Sequence, residues 1–209
     1  MTRLRRRSVV LLLLTLGFAT DAAPQSSGAG ETDRPVILAI GESTTAGFGV
    51  PVDRSYPAQL QARLDADGYA YRVVNFGRSG ITSSMALSSL TRGMALVPKI
   101  VLIALGGNDR GNRVAAAATR ENMGRMIRLY KMVGATVFLA DRGATGEDGS
   151  TLFSELAETE GAILMPSLRH SVAGHPELLL SDGSHPNAAG YAIVTEQILG
   201  QIEPYLERP

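Results

Sequence analysis

Apolar runs of four to seven residues recur along most of the chain. Such runs are typical of strands that are buried on both faces of a sheet. The predicted strands cover residues 35–40, 71–76, 99–105, 135–140 and 162–165. All five are short, and short length favours strands over buried helices.

Segments with helical periodicity lie between these runs. In residues 114–133, apolar side chains fall at the spacing of one helix face, at Met123, Met126, Ile127 and Tyr130. The other predicted helices cover residues 56–64, 83–96 and 152–160, and a last one begins near Pro186. Five strands that alternate with five helices predict a parallel sheet with helices on both faces. We therefore expect one α/β domain over residues 35–209, a three-layer α/β/α fold with a flavodoxin-like five-stranded parallel sheet.

The first 22 residues resemble a secretory signal peptide. Four arginines lie within positions 3–7 and precede an apolar stretch at residues 9–19. This stretch is too short to span a bilayer, which needs about 20 residues, but it suits a secretory signal. We expect cleavage after Ala22, with a retained signal anchor or a cut after Ala23 as the alternatives. Residues 23–34 are small and polar, so we expect a disordered leader and a protein exported to the periplasm or secreted.

The net charge changes once this segment is set aside. The whole chain has 20 basic and 20 acidic residues. Residues 1–22 hold four Arg and one Asp, so their removal leaves 16 basic and 19 acidic residues, a net charge of −3. A mildly acidic domain without a basic cluster argues against nucleic acid as a partner. The absence of cysteine excludes disulfides, thiolate zinc sites and a cysteine nucleophile.

In a sheet of this type, functional groups lie at the carboxyl ends of the strands. The loop at residues 41–47 follows the first predicted strand and presents Ser43 at that edge. A serine hydroxyl becomes an effective nucleophile only with a base within hydrogen-bond reach. Two other interpretations are open for this loop: its hydroxyls could cap a helix, or they could bind a phosphate.

The loop at residues 181–187 supplies a candidate base. Asp182 and His185 are three residues apart around a glycine, so the carboxylate can reach one ring nitrogen of the histidine. That contact would fix the tautomer and leave the other nitrogen free as a base. In isolation, an aspartate turn before a helix explains the same residues. The three histidines lack the spacing of a zinc site, so we expect no metal.

Two further loops offer hydrogen-bond donors for an oxyanion. Gly80 follows the second predicted strand, and Asn108 follows the third. A backbone N–H and a side-chain amide are suitable donors for the oxyanion of an acyl-transfer reaction. Turn formation is the alternative explanation for both residues. Asp109 is interpreted as a structural hydrogen-bond partner rather than as a second acid.

Taken together in this order, the four loops resemble those of the SGNH (GDSL-type) hydrolases. The resemblance covers residues 35–205 and rests on residues 41–51, 106–109, 173–178 and 182–190. It is closest to the thioesterase I, lysophospholipase and arylesterase branch of bacterial envelopes. It implies Ser43 as nucleophile, His185 as general base and acid, and Asp182 as its orienting carboxylate. It also implies an oxyanion hole formed by the Ser43 and Gly80 backbone N–H groups and the Asn108 side chain.

The chain departs from this family in two places. Glu42 stands where an aspartate usually precedes the nucleophile, so the hydrogen bonds of that turn cannot be carried over. The segment at residues 141–150 is shorter than its counterpart and lacks the aromatic and proline residues usual there. Because that segment borders the substrate groove in the family, acyl-chain preference cannot be carried over either.

We therefore expect a serine esterase that hydrolyses carboxylic ester or thioester bonds through an acyl-enzyme, without a cofactor. The expected partner is a small-molecule or lipid ester, with transient membrane-surface contact and no nucleic acid, and the expected state is a monomer. One alternative is a carbohydrate O-acetyl esterase with the same catalytic residues. A second alternative, from another class, is a flavodoxin-like module that binds a phosphorylated cofactor at residues 43–47.

Overall fold

The computed structural model describes residues 33–142 and 151–208. Five parallel strands form one sheet in the order β2-β1-β3-β4-β5. The strands are β1 (Val36–Gly41), β2 (Arg72–Asn75), β3 (Ile100–Ala104), β4 (Thr136–Ala140) and β5 (Ile163–Met165). All five predicted strands are present within one or two residues of the predicted bounds, and the predicted fold class is confirmed.

Helices connect the strands. They are α1 (Ser43–Ala46), α2 (Tyr56–Ala66), α3 (Ser83–Ala86), α4 (Leu90–Met94), α5 (Gly107–Gly111), α6 (Ala116–Met132), α7 (Leu152–Glu160) and α8 (Ala188–Ile202). Short 3₁₀ turns lie at Val52–Arg54, Leu87–Ser89, His170–Val172, Pro176–Leu178 and Glu203–Tyr205. The helices predicted at residues 56–64, 114–133 and 152–160 and near Pro186 correspond to α2, α6, α7 and α8.

The single helix predicted over residues 83–96 is wrong. This segment forms α3 and α4, with a 3₁₀ turn at Leu87–Ser89 between them. Its serines favour such a break, because their hydroxyls compete for backbone hydrogen bonds inside a helix. The Ser88 hydroxyl donates to the Met85 carbonyl at 2.7 Å, next to the point where the regular helix ends.

Two hydrophobic layers enclose the sheet, one on each face. Because successive strand side chains point to opposite faces, Ile37 and Ala39 of β1 pack with α2 and α8, whereas Leu38 and Ile40 pack with α6 and α7. The face of α6 predicted from its periodicity is completely buried: Met123, Met126, Ile127 and Tyr130 are each at most 1% exposed. Packing on both faces fixes the sheet, and with it the edge where the candidate site lies.

The predicted signal segment at residues 1–22 lies outside the described residues, as does most of the predicted leader. The last two leader residues are described, and Arg34 forms an ion pair with Asp65 at 2.7 Å. Most of the shortened segment at 141–150 is also outside the described residues. Within residues 33–142 and 151–208, no helix is both long and apolar enough to cross a membrane.

Candidate active site

The chain turns sharply between β1 and α1, and this turn presents Ser43 at the carboxyl edge of the sheet. Gly41 is required there by space. A β-carbon at this position would lie 2.0 Å from Thr45 Oγ1 and 2.9 Å from the Ala104 carbonyl oxygen. Helix α1 starts at Ser43 and has no side-chain hydrogen bond at its N-cap, Glu42. The helix-capping interpretation of the Ser43 hydroxyl is therefore not what the structure shows.

Ser43, His185 and Asp182 form a continuous hydrogen-bonded line. Ser43 Oγ lies 2.7 Å from His185 Nε2, and His185 Nδ1 lies 2.7 Å from Asp182 Oδ2. Ser43 and His185 are 142 positions apart in the chain, so the fold alone brings them together. Each ring nitrogen of the histidine faces one partner, which is the arrangement that lets an imidazole take a proton from a hydroxyl.

Asp182 is held as a charged group. Its Oδ1 accepts the backbone N–H groups of Ser184 and His185 at 2.9 and 3.0 Å. These two bonds, followed by the bond from the His185 side chain, lower the pKa of the Asp182 carboxyl to about 2. A carboxylate that accepts several hydrogen bonds stays ionised at neutral pH. Asp182 can therefore keep the Nδ1 proton of His185 in place.

Backbone contacts close the loop that carries Asp182 and His185. The Leu180 N–H donates to the His185 carbonyl at 2.8 Å, and Leu179 forms an isolated antiparallel bridge with Pro186. Asn187 ends the loop as the N-cap of α8 and accepts the N–H groups of Ala189 and Gly190. A loop pinned at both ends can hold its two functional side chains in fixed positions, although Asp182 itself is exposed.

Gly80 and Asn108 meet at the same edge. Asn108 Nδ2 donates to the Ile81 carbonyl oxygen at 2.9 Å, so it contacts the residue next to Gly80. An amide group has two donor hydrogens, and this bond leaves one of them for another acceptor. The Gly80 N–H donates to no acceptor within residues 33–142 and 151–208. The Ser43 N–H, as the first of α1, has no partner inside its helix.

Asp109 is buried and structural. It is 1% exposed and accepts the Ser83 backbone N–H at 2.8 Å, the Ser83 hydroxyl at 2.5 Å and the Thr119 hydroxyl at 3.1 Å. These bonds use both carboxylate oxygens. Asp109 therefore ties α5 to α3 and α6, and its interpretation as a structural partner is confirmed.

Two residues that the sequence did not single out contact the His185 loop. The Phe48 ring lies 4.6 Å from the His185 ring between centroids, tilted by 44°, and Phe48 is 46% exposed. Arg169 donates to the Ser184 carbonyl at 3.0 Å and also to the Ser184 hydroxyl. An aromatic residue five positions after the serine was a signal for the first contact. Nothing in the sequence indicated the second.

Two of the three histidines lie outside the line of Ser43, His185 and Asp182. His170 and His175 are exposed, and His175 Nδ1 lies 3.1 Å from Glu177 Oε1. In the described ranges, 33–142 and 151–208, no group of three or more His, Asp or Glu side chains could hold a metal ion.

Known proteins are similar to this chain in sequence and in fold. Residues 39–193 match the model of the GDSL-like Lipase/Acylhydrolase family. Esterase TesA of Pseudomonas aeruginosa is 32% identical over 178 residues, which cover 81% of this chain and 89% of that protein. Arylesterase of Vibrio mimicus is 29% identical over 204 residues, which cover 94% and 98% of the two chains. A crystal structure of TesA matches with a TM-score of 0.75 at 31% identity, over 81% of this chain and 98% of that one.

These similarities confirm the resemblance and the fold class that the sequence predicted. They also confirm the expected activity class and favour it over a cofactor-binding module. The chain belongs to the GDSL-like lipase/acylhydrolase family and is a carboxylic ester hydrolase with the SGNH-hydrolase fold.

Proposed function

We propose that this ester hydrolase works as a serine esterase in which Ser43 is the nucleophile, His185 the general base and acid, and Asp182 the orienting carboxylate. The observation that carries the proposal is the line of two 2.7 Å contacts from the Ser43 hydroxyl through His185 to Asp182. Neutral His185 takes the proton as Ser43 Oγ bonds to the ester carbonyl carbon. The negative charge that moves onto the carbonyl oxygen is stabilised by N–H donors.

The second half of the reaction reverses these roles. Collapse of the tetrahedral intermediate expels the alcohol, which takes the proton from His185 and leaves an acyl group on Ser43. Water then loses a proton to His185 as it attacks the acyl carbon, and the acid departs as Ser43 recovers its hydrogen. The proposed oxyanion donors are the Ser43 and Gly80 backbone N–H groups and the Asn108 side chain. Each step balances without a metal or cofactor.

The surroundings of His185 support esters with an apolar group near the scissile bond. The half-exposed Phe48 ring lies against the imidazole, so a bound substrate can contact it at the reaction centre. Burial of an apolar group against such a ring is favourable. We propose a small-molecule or lipid ester as substrate, hydrolysed by a monomer after export, with residues 1–22 as the export signal. Transient contact with a membrane surface belongs to the same proposal.

The test compares the protein with its Ser43→Ala variant in the hydrolysis of p-nitrophenyl butyrate. We expect activity in the parent and none above background in the variant, because the variant lacks the hydroxyl that attacks the ester carbonyl carbon. Ser154→Ala is the matched control, since Ser154 is an exposed serine on α7. Mass spectrometry after reaction with a fluorophosphonate should show one adduct in the parent and the control, and none in Ser43→Ala. An active Ser43→Ala variant would overturn the proposal.

A series of p-nitrophenyl esters from acetyl to palmitoyl separates the main proposal from the carbohydrate O-acetyl esterase. Comparable or rising kcat/KM from acetyl to butyryl and longer chains fits the arylesterase-like and lysophospholipase-like function. A sharp preference for acetyl over butyryl would favour the O-acetyl esterase. The same catalytic residues serve both, so the series decides the substrate and leaves the mechanism unchanged.

A further inference from the structure

We propose that Glu42, oriented by Arg142, is a positioning residue that holds the oxyanion donor Asn108 in place. The inference rests on the proposed function, because it assigns a task to a residue outside the Ser43, His185 and Asp182 line. It concerns the position where this chain departs from the aspartate usual in the family.

The Glu42 side chain extends from the turn between β1 and α1 to the loop after β3. Glu42 is 8% exposed, and its Oε1 accepts the Asn108 backbone N–H at 3.0 Å. A carboxylate removed from water is costly unless it is paired and hydrogen-bonded. The bond to Asn108 meets that requirement, and it joins the residue before the nucleophile to the proposed oxyanion donor.

Asn108 is thereby held at two points. Glu42 fixes its backbone, and the Ile81 carbonyl fixes its side chain through Nδ2 at 2.9 Å. These bonds leave one amide hydrogen of known direction. A donor stabilises an oxyanion only if it already points to where the charge develops, since reorientation during the reaction costs free energy. Glu42 therefore acts on the reaction through the placement of Asn108.

Arg142 is the counter-charge of Glu42. Its Nη1 lies 3.9 Å from Glu42 Oε2, and the two side chains are only 34% and 10% exposed. Burial lowers the pKa of the Arg142 guanidinium, the charge of Glu42 opposes that shift, and Arg169, Arg110 and Asp109 also act on it. Arg142 therefore lies beside Glu42 Oε2 and helps to orient the side chain that accepts the Asn108 N–H.

The absence of a side chain at Gly107 leaves room for the Glu42 and Arg142 side chains. A β-carbon at Gly107 would lie 2.2 Å from Arg142 Nη2 and 2.8 Å from Glu42 Oε2. The two side chains therefore meet directly against the backbone of the residue before Asn108. This close packing restricts the Glu42 carboxylate to the position from which it accepts the Asn108 N–H.

The length of the glutamate side chain matters in this geometry. Aspartate is shorter by one carbon–carbon bond, about 1.5 Å. From the same backbone position, an aspartate at residue 42 would fall outside hydrogen-bond distance of the Asn108 N–H. Glutamine keeps both the reach and an acceptor oxygen. Reach and charge can therefore be separated by two conservative variants.

The experiment measures kcat, KM and inhibition by an alkyl trifluoromethyl ketone for Glu42→Asp and Glu42→Gln. The hydrated ketone adds to the serine and places an oxyanion in the hole. For Glu42→Asp we expect kcat to fall at least tenfold, KM to change less than twofold, and Ki to rise by the same factor as kcat/KM falls. For Glu42→Gln we expect kcat within threefold of the parent. Equal losses in the two variants, or an unchanged kcat in Glu42→Asp, would overturn the proposal.

A double-mutant cycle tests whether the effect passes through Asn108. Glu42→Asp should cost less than threefold in the Asn108→Ala background, because the donor to be positioned is then absent. An undiminished cost would mean a merely structural role and would overturn the proposal. Glu158→Gln, at an exposed glutamate on α7, is the matched control and should leave kcat unchanged.

A second measurement avoids dependence on the folding of Glu42→Asp. In an ¹H–¹⁵N NMR spectrum, the Asn108 backbone proton should move upfield in Glu42→Gln, since a neutral acceptor replaces a charged one. No movement would overturn the proposal. Failure of the proposed function is distinguishable from these outcomes, because it would show as an active Ser43→Ala variant or an inactive parent protein.

Discussion

Asp182 is exposed, and hydrogen bonds to its carboxylate keep it charged. Two backbone N–H groups and the His185 side chain donate to its carboxylate, and they lower its pKa to about 2. Because the acceptors and donors are three residues apart or closer, the loop itself creates this environment. The charge of Asp182 is thus set by its own loop, whereas the contact between Ser43 and His185 depends on the whole fold.

The pKa of Asp182 leads to a prediction for the pH–rate profile. Asp182 stays ionised from pH 8 down to about pH 3, so its protonation should not reduce kcat/KM above pH 4. A loss of activity from the protonation of Asp182 is expected only as the pH falls toward 2. The contribution of Asp182 to the free energy of unfolding also decreases with falling pH. It is complete above the ordinary aspartate pKa of 3.8 and is lost as the pH falls through the pKa of about 2 in the folded protein.

Asp182→Asn supplies the check on this prediction. It should lower kcat by about 10³- to 10⁴-fold, because the neutral amide no longer favours the productive tautomer. Asp53→Asn, at a carboxylate 78% exposed, should leave the profile unchanged. Two ionisations between pH 4 and 7 in the pH–rate profile of the parent, one of them absent in Asp182→Asn, would contradict the low pKa of Asp182.

At the element scale, α8 and the loop before it act as one unit. The Asn187 side chain caps α8 and also donates to the Glu177 and Leu179 carbonyls at 2.8 and 3.2 Å. Gly190, in the first turn, allows close packing, since a β-carbon there would lie 2.2 Å from the Leu178 carbonyl oxygen. The helix start and the His185 loop therefore support each other.

We predict that Asn187→Ala destabilises the protein by about 1–3 kcal/mol, because it removes an N-cap and leaves two carbonyls without their donor. Urea denaturation followed by circular dichroism measures this change. Ser88→Ala, which removes one hydrogen bond at an exposed serine, should cost less than about 0.5 kcal/mol. Equal stabilities of the two variants would contradict the linking role of Asn187.

On the scale of the whole molecule, the sheet is buried from both sides, and each layer contributes its own apolar cluster. The layers position the carboxyl ends of β1 and β3 side by side, so that Ser43 and Asn108 follow adjacent strands. Loss of packing in either layer should therefore lower the stability of the molecule that carries the site.

Two methionines of α6 test this statement with a matched pair. Met126 is 1% exposed and Met132 is 77% exposed on the same helix. Met126→Ala should lower the free energy of unfolding by about 2–5 kcal/mol, and Met132→Ala should change it by less than about 0.5 kcal/mol. Thermal or urea unfolding measures both. Similar losses in the two variants would be incompatible with the observed packing.

The sequence predicted the strands well because each is a short apolar run, and it predicted α6 because burial of one face leaves a clear period in the pattern. It failed at residues 83–96, where side-chain hydroxyls divert the backbone and apolar periodicity carries no information about that competition. Phe48 and Arg169 were missed for another reason. Their contacts with the His185 loop are set by the tertiary structure.

By itself, the sequence determined the five-stranded α/β fold, and it singled out Ser43, Asp182, His185, Gly80 and Asn108 as candidate site residues. The fold and the candidate residues could be predicted because the apolar pattern of the strands and the polar loops that follow them are visible in the sequence. The tertiary structure alone decided that Ser43 reaches His185 across 142 positions and that the Glu42 side chain accepts the Asn108 N–H. Such contacts arise when strands that are distant in sequence become neighbours in the sheet. The order of the residues alone does not specify which distant side chains come within hydrogen-bond distance.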